Sequence, residues 1–189
     1  MFKKESFKKL YYSKKFYFWI FVIGLAIRIF LMPIGCHIDM LSNVWVPYKI
    51  AFTNVPFYLA DPIAKEHIIP QLIVTPYYKL IKPALYPALS NVWKDYDFTF
   101  DVQAWLRYCK NPFVFRANFL TKLPFLLFDL LALLFFVKLF STARAKRIAF
   151  LVWWLNPISF YVVYLFGRFE PYAVFFIILF LYYAKRGSH

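Results

Sequence analysis

The sequence has few acidic residues and lacks the short motifs by which many soluble enzymes are recognised. Nine Asp and Glu residues stand against 23 Lys and Arg, which gives a formal net charge of +14. The two cysteines, Cys36 and Cys109, form no C-x-x-C pair, which argues against a thiol redox enzyme. The sequence contains no zinc-ligand spacing, Walker loop, nucleophile elbow, dinucleotide-binding fingerprint or internal repeat. No motif therefore indicates a nucleotide-dependent enzyme, a zinc enzyme or a serine hydrolase.

The positive charge is distributed in a way that argues against a nucleic-acid partner. Nucleic-acid-binding domains gather basic residues on one face or groove of a polar fold. Here the basic residues cluster at the edges of apolar runs, in "MFKKESFKKLYYSKK", "STARAKR" and "AKRGSH", while those in the long loop are offset for the most part by acids. That distribution is typical of cytoplasmic anchoring against anionic lipid, so we expect membrane lipids as partners and no nucleic acid.

Apolar and aromatic residues are in excess. The chain of 189 residues is 62% hydrophobic and 24% aromatic, more than a soluble α-helical domain of this size could bury. We therefore predict an all-α integral membrane protein. The first apolar run ends in bulky "IFLMPIG" without a small-residue cleavage site, so we expect it to remain as a helix.

About four membrane spans are predicted, at residues 16–32, 119–140, 148–166 and 171–184. The fourth is short for a hydrocarbon core of about 30 Å. Proline in Asn156-Pro157 should kink or break the third. The chain is then a single membrane module over residues 1–189.

Basic residues beside the spans predict the orientation. They place a basic tail, residues 1–15, and the C-terminus in the cytoplasm, and the long loop 33–118 outside. Three membrane segments follow within 119–189. The loop is rich in proline and aromatic residues, which predicts short helices at the outer interface. Cys36 and Cys109 could join the two ends of this loop by a disulfide in an oxidising compartment.

Three charged residues fall well inside the predicted spans, and a fourth, Lys138, lies near the cytoplasmic end of the second span. Asp129 lies near mid-bilayer, where a charged carboxylate needs a partner. We expect a structural ion pair or a hydrogen-bonded neutral acid that holds helices together. Lys122 lies two turns earlier on the same face, and Arg28 could snorkel outward or reach a carboxylate. Alternatively, Asp129 and Lys122 form the intramembrane site of a small transporter.

Four further polar residues are predicted to meet at the outer surface. His37 and Asp39 follow the first span, and Arg168 and Glu170 lie between the last two. Asp39 could serve as a general base, hold a divalent cation, or be a solvated loop residue. Arg168 could bind a phosphate and Glu170 could position or activate a substrate, or the two could form an interfacial salt bridge.

The order of these residues resembles the N-terminal half of the GT-C superfamily of polytopic glycosyltransferases. The similarity runs from the "H-x-D" of His37 and Asp39 through "TKLPFLLFDLLALLFF" to "WWLNPISFYVVYLFGRFEPYAVFFIILFLYYA". The superfamily includes mannosyltransferases that use a polyprenyl-phosphate-linked sugar. The family's "K-x-P-x-x-x-x-D" pattern looks similar to Lys122, Pro124 and Asp129 here. Its "N-P … G-x-x-(D/E)" pattern looks similar to Asn156, Pro157, Gly167 and Glu170.

The resemblance implies an inverting transfer of mannose or another hexose from a lipid-linked donor to an acceptor at the extracytoplasmic face. Asp39 would be the general base, or would help to hold Mg²⁺ or Mn²⁺, and Glu170 would line the same cavity. Arg168 and Lys122 would face the leaving lipid phosphate. His37 and Arg28 complete the predicted substrate-binding set.

The sequence also departs from the family pattern. Members of the superfamily have more spans, many carry an acidic pair where Asp39 stands alone, and aspartate is commoner than glutamate at the position of Glu170. We therefore expect a partial module that works with a further membrane subunit or a missing C-terminal half, in a bacterial plasma membrane or the endoplasmic reticulum. A non-catalytic subunit of a glycosylation complex and a small transporter or flippase are the alternatives.

Overall fold

The computed structural model describes residues 14–35, 37–53, 68–90 and 102–187, and the regular structure in these ranges is entirely helical. The predicted all-α class is thus confirmed for the described part of the chain. The described ranges contain eight α-helices longer than one turn: α1 Lys14–Ile34, α2 Ile38–Thr53, α3 Ile68–Leu80, α4 Lys82–Leu89, α5 Val102–Cys109, α6 Val114–Lys138, α7 Ala143–Trp154 and α8 Glu170–Gly187.

Three helical stretches are long and apolar enough to cross a membrane: Lys14–Ile34, Val114–Lys138 and Ala143–Phe166. They coincide with the first three predicted spans and indicate a membrane protein. The fourth predicted span, 171–184, lies within α8, which is not one of the three.

The third stretch is broken where the sequence predicts it. Helix α7 ends at Trp154, and Asn156 caps a new turn by accepting a 2.9 Å hydrogen bond from Ile158 N. Pro157 occupies the first position of that turn, where its missing N–H costs no hydrogen bond. The chain then continues as a π-helix, Phe160–Phe166, hereafter the π segment. The π segment ends at Gly167, whose φ of 79° is left-handed.

Helix α6 lies at the centre of the described fold, in contact with α1, α4, α7 and α8. Aromatic side chains fill much of the core around it, and four tyrosines are almost wholly buried: Tyr78, Tyr108, Tyr164 and Tyr172. Rings of α6 meet rings of α8 edge to face, as at Phe128 and Tyr172, with centroids 4.7 Å apart. Each such contact stabilises the fold by about 0.5–1.5 kcal/mol beyond the contribution of the buried apolar area.

Helices α2 to α5 belong to the loop predicted outside, and they pack against α6 or one another. The Tyr77 hydroxyl donates to Leu120 O at 2.8 Å. Burial raises the pKa of Tyr77 to about 12, so this hydroxyl keeps its proton, and its role as a donor, further into the alkaline range. The predicted placement of these helices at the membrane interface stays a prediction.

Hydrogen bonds from Asn118 join the two ends of the loop. Its amide nitrogen donates to Pro33 O at 3.0 Å, and its amide oxygen accepts from the Tyr108 hydroxyl at 2.7 Å. The disulfide predicted for the same purpose involves Cys36, which lies outside the described residues.

The close approach of Gly35 to the π segment yields a stability prediction. A Cβ at Gly35 would lie 2.4 Å from the Cα of Leu165, which is backbone and cannot rotate away. Gly35→Ala should therefore lower the free energy of unfolding by about 1–3 kcal/mol, measured by thermal unfolding in detergent. Gly187→Ala is the matched control, because nothing lies within 4 Å of its Cβ position. Equal stability of the two variants would contradict this packing.

Candidate functional site

Asp129 accepts hydrogen bonds from three side chains in the core. Its Oδ2 accepts from Arg28 Nε at 2.9 Å and from the Tyr164 hydroxyl at 2.7 Å, and its Oδ1 accepts from Trp153 Nε1 at 2.9 Å. The Arg28 and Asp129 side chains are 0% and 6% exposed. Buried charges are stable only when paired and hydrogen-bonded in this way. Of the two outcomes open for Arg28, the structure shows the contact with a carboxylate.

Arg28 also binds backbone carbonyls of its own helix and of the end of α7. Its Nη1 donates to Gly24 O at 3.1 Å and to Trp154 O at 2.8 Å. The guanidinium carbon lies 3.7 Å from the centroid of the Trp154 ring, a cation–π contact. Arg28 thus joins α1, α6 and the end of α7. Its predicted contact with a substrate would require a rearrangement of this packing.

Lys122 is equally buried and donates to backbone carbonyls. Its Nζ binds Met32 O at 3.1 Å, Tyr164 O at 2.8 Å and Gly35 O. These carbonyls lie near the end of α1 and in the last turn of the π segment, where helix geometry leaves carbonyls without intrahelical partners. The negative end of the helix dipole also stabilises a lysine at this position. Contact with a lipid phosphate, as predicted for Lys122, would require these bonds to be given up.

The same contacts bring the start of the outer loop against the end of the π segment. The His37 ring stacks on Phe166 with centroids 3.9 Å apart and planes 21° apart. A Cβ at Gly167 would lie 2.9 Å from Cγ of Met40. Asp39 belongs to the first turn of α2, between His37 and Met40, and its side chain lies outside the described part. The loop start and the turn 167–170, predicted to share one side, are therefore neighbours.

Arg168 and Glu170 form an ion pair at this surface. Arg168 Nε lies 2.6 Å from Glu170 Oε1, and the two side chains are 50% and 43% exposed. The other carboxylate oxygen, Oε2, is buried and accepts no hydrogen bond from the described residues. An unsatisfied buried acceptor of this kind is a candidate for binding a hydroxyl group.

Tyr172, two residues further along α8, is not among the site residues predicted from the sequence. Its side chain is wholly buried, yet its hydroxyl has no hydrogen-bond partner among the described residues. Nothing in the sequence distinguishes Tyr172 from the other tyrosines of this aromatic-rich chain. The start of α8 thus contributes two polar atoms without a partner in the described part of the chain, an acceptor on Glu170 and a donor on Tyr172.

The described residues contain no group of three or more His, Cys, Asp or Glu side chains that could hold a metal ion. Because the Asp39 side chain is not among them, a divalent cation there stays a prediction.

Comparisons of this chain with models of protein families, with curated proteins and with solved structures found no match. The resemblance to the GT-C superfamily therefore depends only on the sequence patterns around Asp39, Lys122, Asp129, Asn156 and Glu170.

Loss of the Lys122 ammonium should be among the most damaging changes on α6. Lys122→Met would leave three buried carbonyls without this donor, each worth about 1–3 kcal/mol, so we expect a loss of at least about 3 kcal/mol in unfolding free energy. The measurement is chemical unfolding in detergent. Lys138→Met, at the exposed end of the same helix, should change stability by no more than about 0.5 kcal/mol. Similar losses of stability in both variants would show that the hydrogen bonds of the buried Lys122 ammonium do not stabilise the fold.

Proposed function

We propose that the chain crosses the membrane four times, with both termini in the cytoplasm. Helix α8 supports the fourth crossing, because it runs beside α6 over most of its length. Tyr172 meets Phe125 near one end, with ring centroids 5.6 Å apart, and Lys185 Nζ donates to Leu139 O at 2.6 Å near the other. The basic residues of α8 and of the α6–α7 turn then share one side, which the positive-inside tendency assigns to the cytoplasm.

On this topology the function supported best is glycosyl transfer of the GT-C type from a polyprenyl-phosphate-linked sugar at the extracytoplasmic face. The observation that carries it is the meeting of the H-x-D segment with the turn that bears Arg168 and Glu170. The His37 ring lies on Phe166, one residue before Gly167, and Glu170 Oε2 is buried there without a partner among the described residues. The chain segments that carry Asp39 and Glu170, far apart in the sequence, thus lie beside each other, which supports a shared site.

The roles follow from the chemistry of the reaction. The Asp39 carboxylate removes the proton from the acceptor hydroxyl as that oxygen attacks the anomeric carbon with inversion, and the polyprenyl phosphate leaves. Arg168, half exposed, stabilises the negative charge of the leaving phosphate. Glu170 Oε2 accepts a hydrogen bond from a hydroxyl of the bound substrate and so positions it. A divalent cation at Asp39, if the protein uses one, would stabilise the same phosphate.

Transfer should depend on the rim acids. In membranes containing the full chain and a radiolabelled polyprenyl-phosphate mannose donor, Asp39→Asn should reduce transfer by about 10²–10⁴-fold because the general base is lost. Glu170→Gln should raise the KM for the acceptor more than it lowers kcat. Glu66→Gln, a carboxylate-to-amide change elsewhere in the loop, is the control. Full transfer by the double variant Asp39→Asn, Glu170→Gln would exclude the assigned roles. No transfer by the folded wild-type chain would instead favour a non-catalytic subunit.

The topology can be tested separately by labelling in intact cells. In a background with Cys36→Ser and Cys109→Ser, Lys110→Cys lies on the outer side and Ser141→Cys in the turn between α6 and α7, and both native residues are exposed. A membrane-impermeant maleimide should label position 110 in intact cells and position 141 only after permeabilisation. Labelling of both positions in intact cells would contradict the proposed orientation.

A further inference from the structure

An apolar groove lies between α6 and α7, at the end of the bundle opposite to Glu170. Its volume is about 290 Å³. Ala145 and Ala149 form its floor, one helical turn apart on the same face of α7. Larger apolar side chains form its walls: Phe136, Phe140, Ile148 and Val152.

The walls of the groove are held in place by aromatic contacts. The Phe136 ring meets Phe140 edge to face at 5.3 Å and lies 5.0 Å from the Trp153 ring. On the α7 side, Ile148 and Val152 are 45% and 64% exposed. The groove, called the trough from here on, is therefore an apolar depression of fixed shape. It opens outward from the bundle, towards the lipid of a membrane.

The end of the bundle beside the groove carries charge of one sign. Between residues 130 and 169 the sequence contains no Asp or Glu, whereas Lys138, Arg144, Lys146 and Arg147 surround the turn between α6 and α7. Arg144 precedes Ile148 by one helical turn, on the face of α7 that borders the groove. An occupant of this place has to be apolar along its length and negative at its end.

We propose that this groove binds an anionic phospholipid. One acyl chain lies in the trough over Ala145 and Ala149, and the headgroup phosphate contacts Arg144. The chemistry favours this occupant over a zwitterionic lipid, whose headgroup carries its own cation. This groove is independent of the proposed sugar-transfer site, which lies beside Glu170 at the opposite end of the bundle.

The test is equilibrium binding of pyrene-labelled phosphatidylglycerol to the full chain in detergent, against phosphatidylcholine with the same acyl chains. Phosphatidylglycerol should bind more tightly. Arg144→Gln should weaken its binding by about fivefold, the effect of one cation near an anionic lipid surface. Arg116→Gln, an exposed arginine near the other end of α6, should leave binding unchanged.

A second pair of variants tests the trough itself. Ala145→Leu fills the floor and should weaken binding of both lipids, whereas Ala173→Leu, at an exposed alanine of α8, should not. Inorganic phosphate should not compete, because it has no acyl chain.

Four results would overturn the proposal: equal affinity for the two lipids, equal effects of the two arginine variants, equal effects of the two alanine variants, or competition by inorganic phosphate. The first two would exclude a role for the headgroup charge, the third would exclude the trough, and the fourth would indicate a simple anion site. If Ala145→Leu fails to fold, as judged by thermal unfolding, the comparison of the two lipids and the arginine variants decide the question.

Discussion

A carboxylate buried in an apolar bundle has to be neutralised and hydrogen-bonded there, and Asp129 meets this requirement through three separate segments. Arg28 comes from α1, Trp153 from α7 and Tyr164 from the π segment. Taking an ion into a low-dielectric interior costs several kcal/mol, which the pairing offsets only while the helices stay together. The ion pair therefore makes the relative positions of α1, α6 and α7 mutually dependent.

Lys122 extends this dependence to the outer rim. It lies two turns before Asp129 on α6, so the two charged groups act at different depths of the same helix face. By binding carbonyls of Gly35 and Tyr164, Lys122 holds the residues before His37 beside the end of the π segment. The rim that bears the candidate site residues is thus positioned by buried charged groups rather than by loop contacts alone. Such support is what a catalytic site needs, since small displacements of reacting groups lower rates strongly.

Some of this arrangement can be predicted from the sequence because the underlying physics is local. A charge inside an apolar run requires a partner, so an ion pair or a hydrogen-bonded neutral acid is expected at Asp129. Arg28 is one of the cations that could reach a carboxylate. Proline cannot continue a helix, so the break at Asn156-Pro157 is predicted at the right place. Helices α1 and α6 begin before the predicted spans, because Lys14 and Arg116 fall outside the apolar runs but do not end a helix. At its other end α6 stops at Lys138, short of the predicted residue 140.

Other features depend on packing and have no local signal. The carbonyl partners of Lys122 come from residues about ninety positions earlier and about forty later, and no spacing rule connects them. The π segment, the burial of the Tyr172 hydroxyl and the trough over Ala145 likewise follow from how helices meet. The role of Asp39 and the resemblance to glycosyltransferases stay predictions.

The most direct test of the central claim is a double-mutant cycle on Arg28 and Asp129, with unfolding free energies measured in detergent. Arg28→Met and Asp129→Asn should each lower stability by about 3–5 kcal/mol, because each leaves an unpaired charge in the core. The double variant leaves neither charge, so its loss should be clearly smaller than the sum of the two single losses. Additive losses would show that the two groups do not depend on each other, and would contradict the central role of this ion pair in the fold.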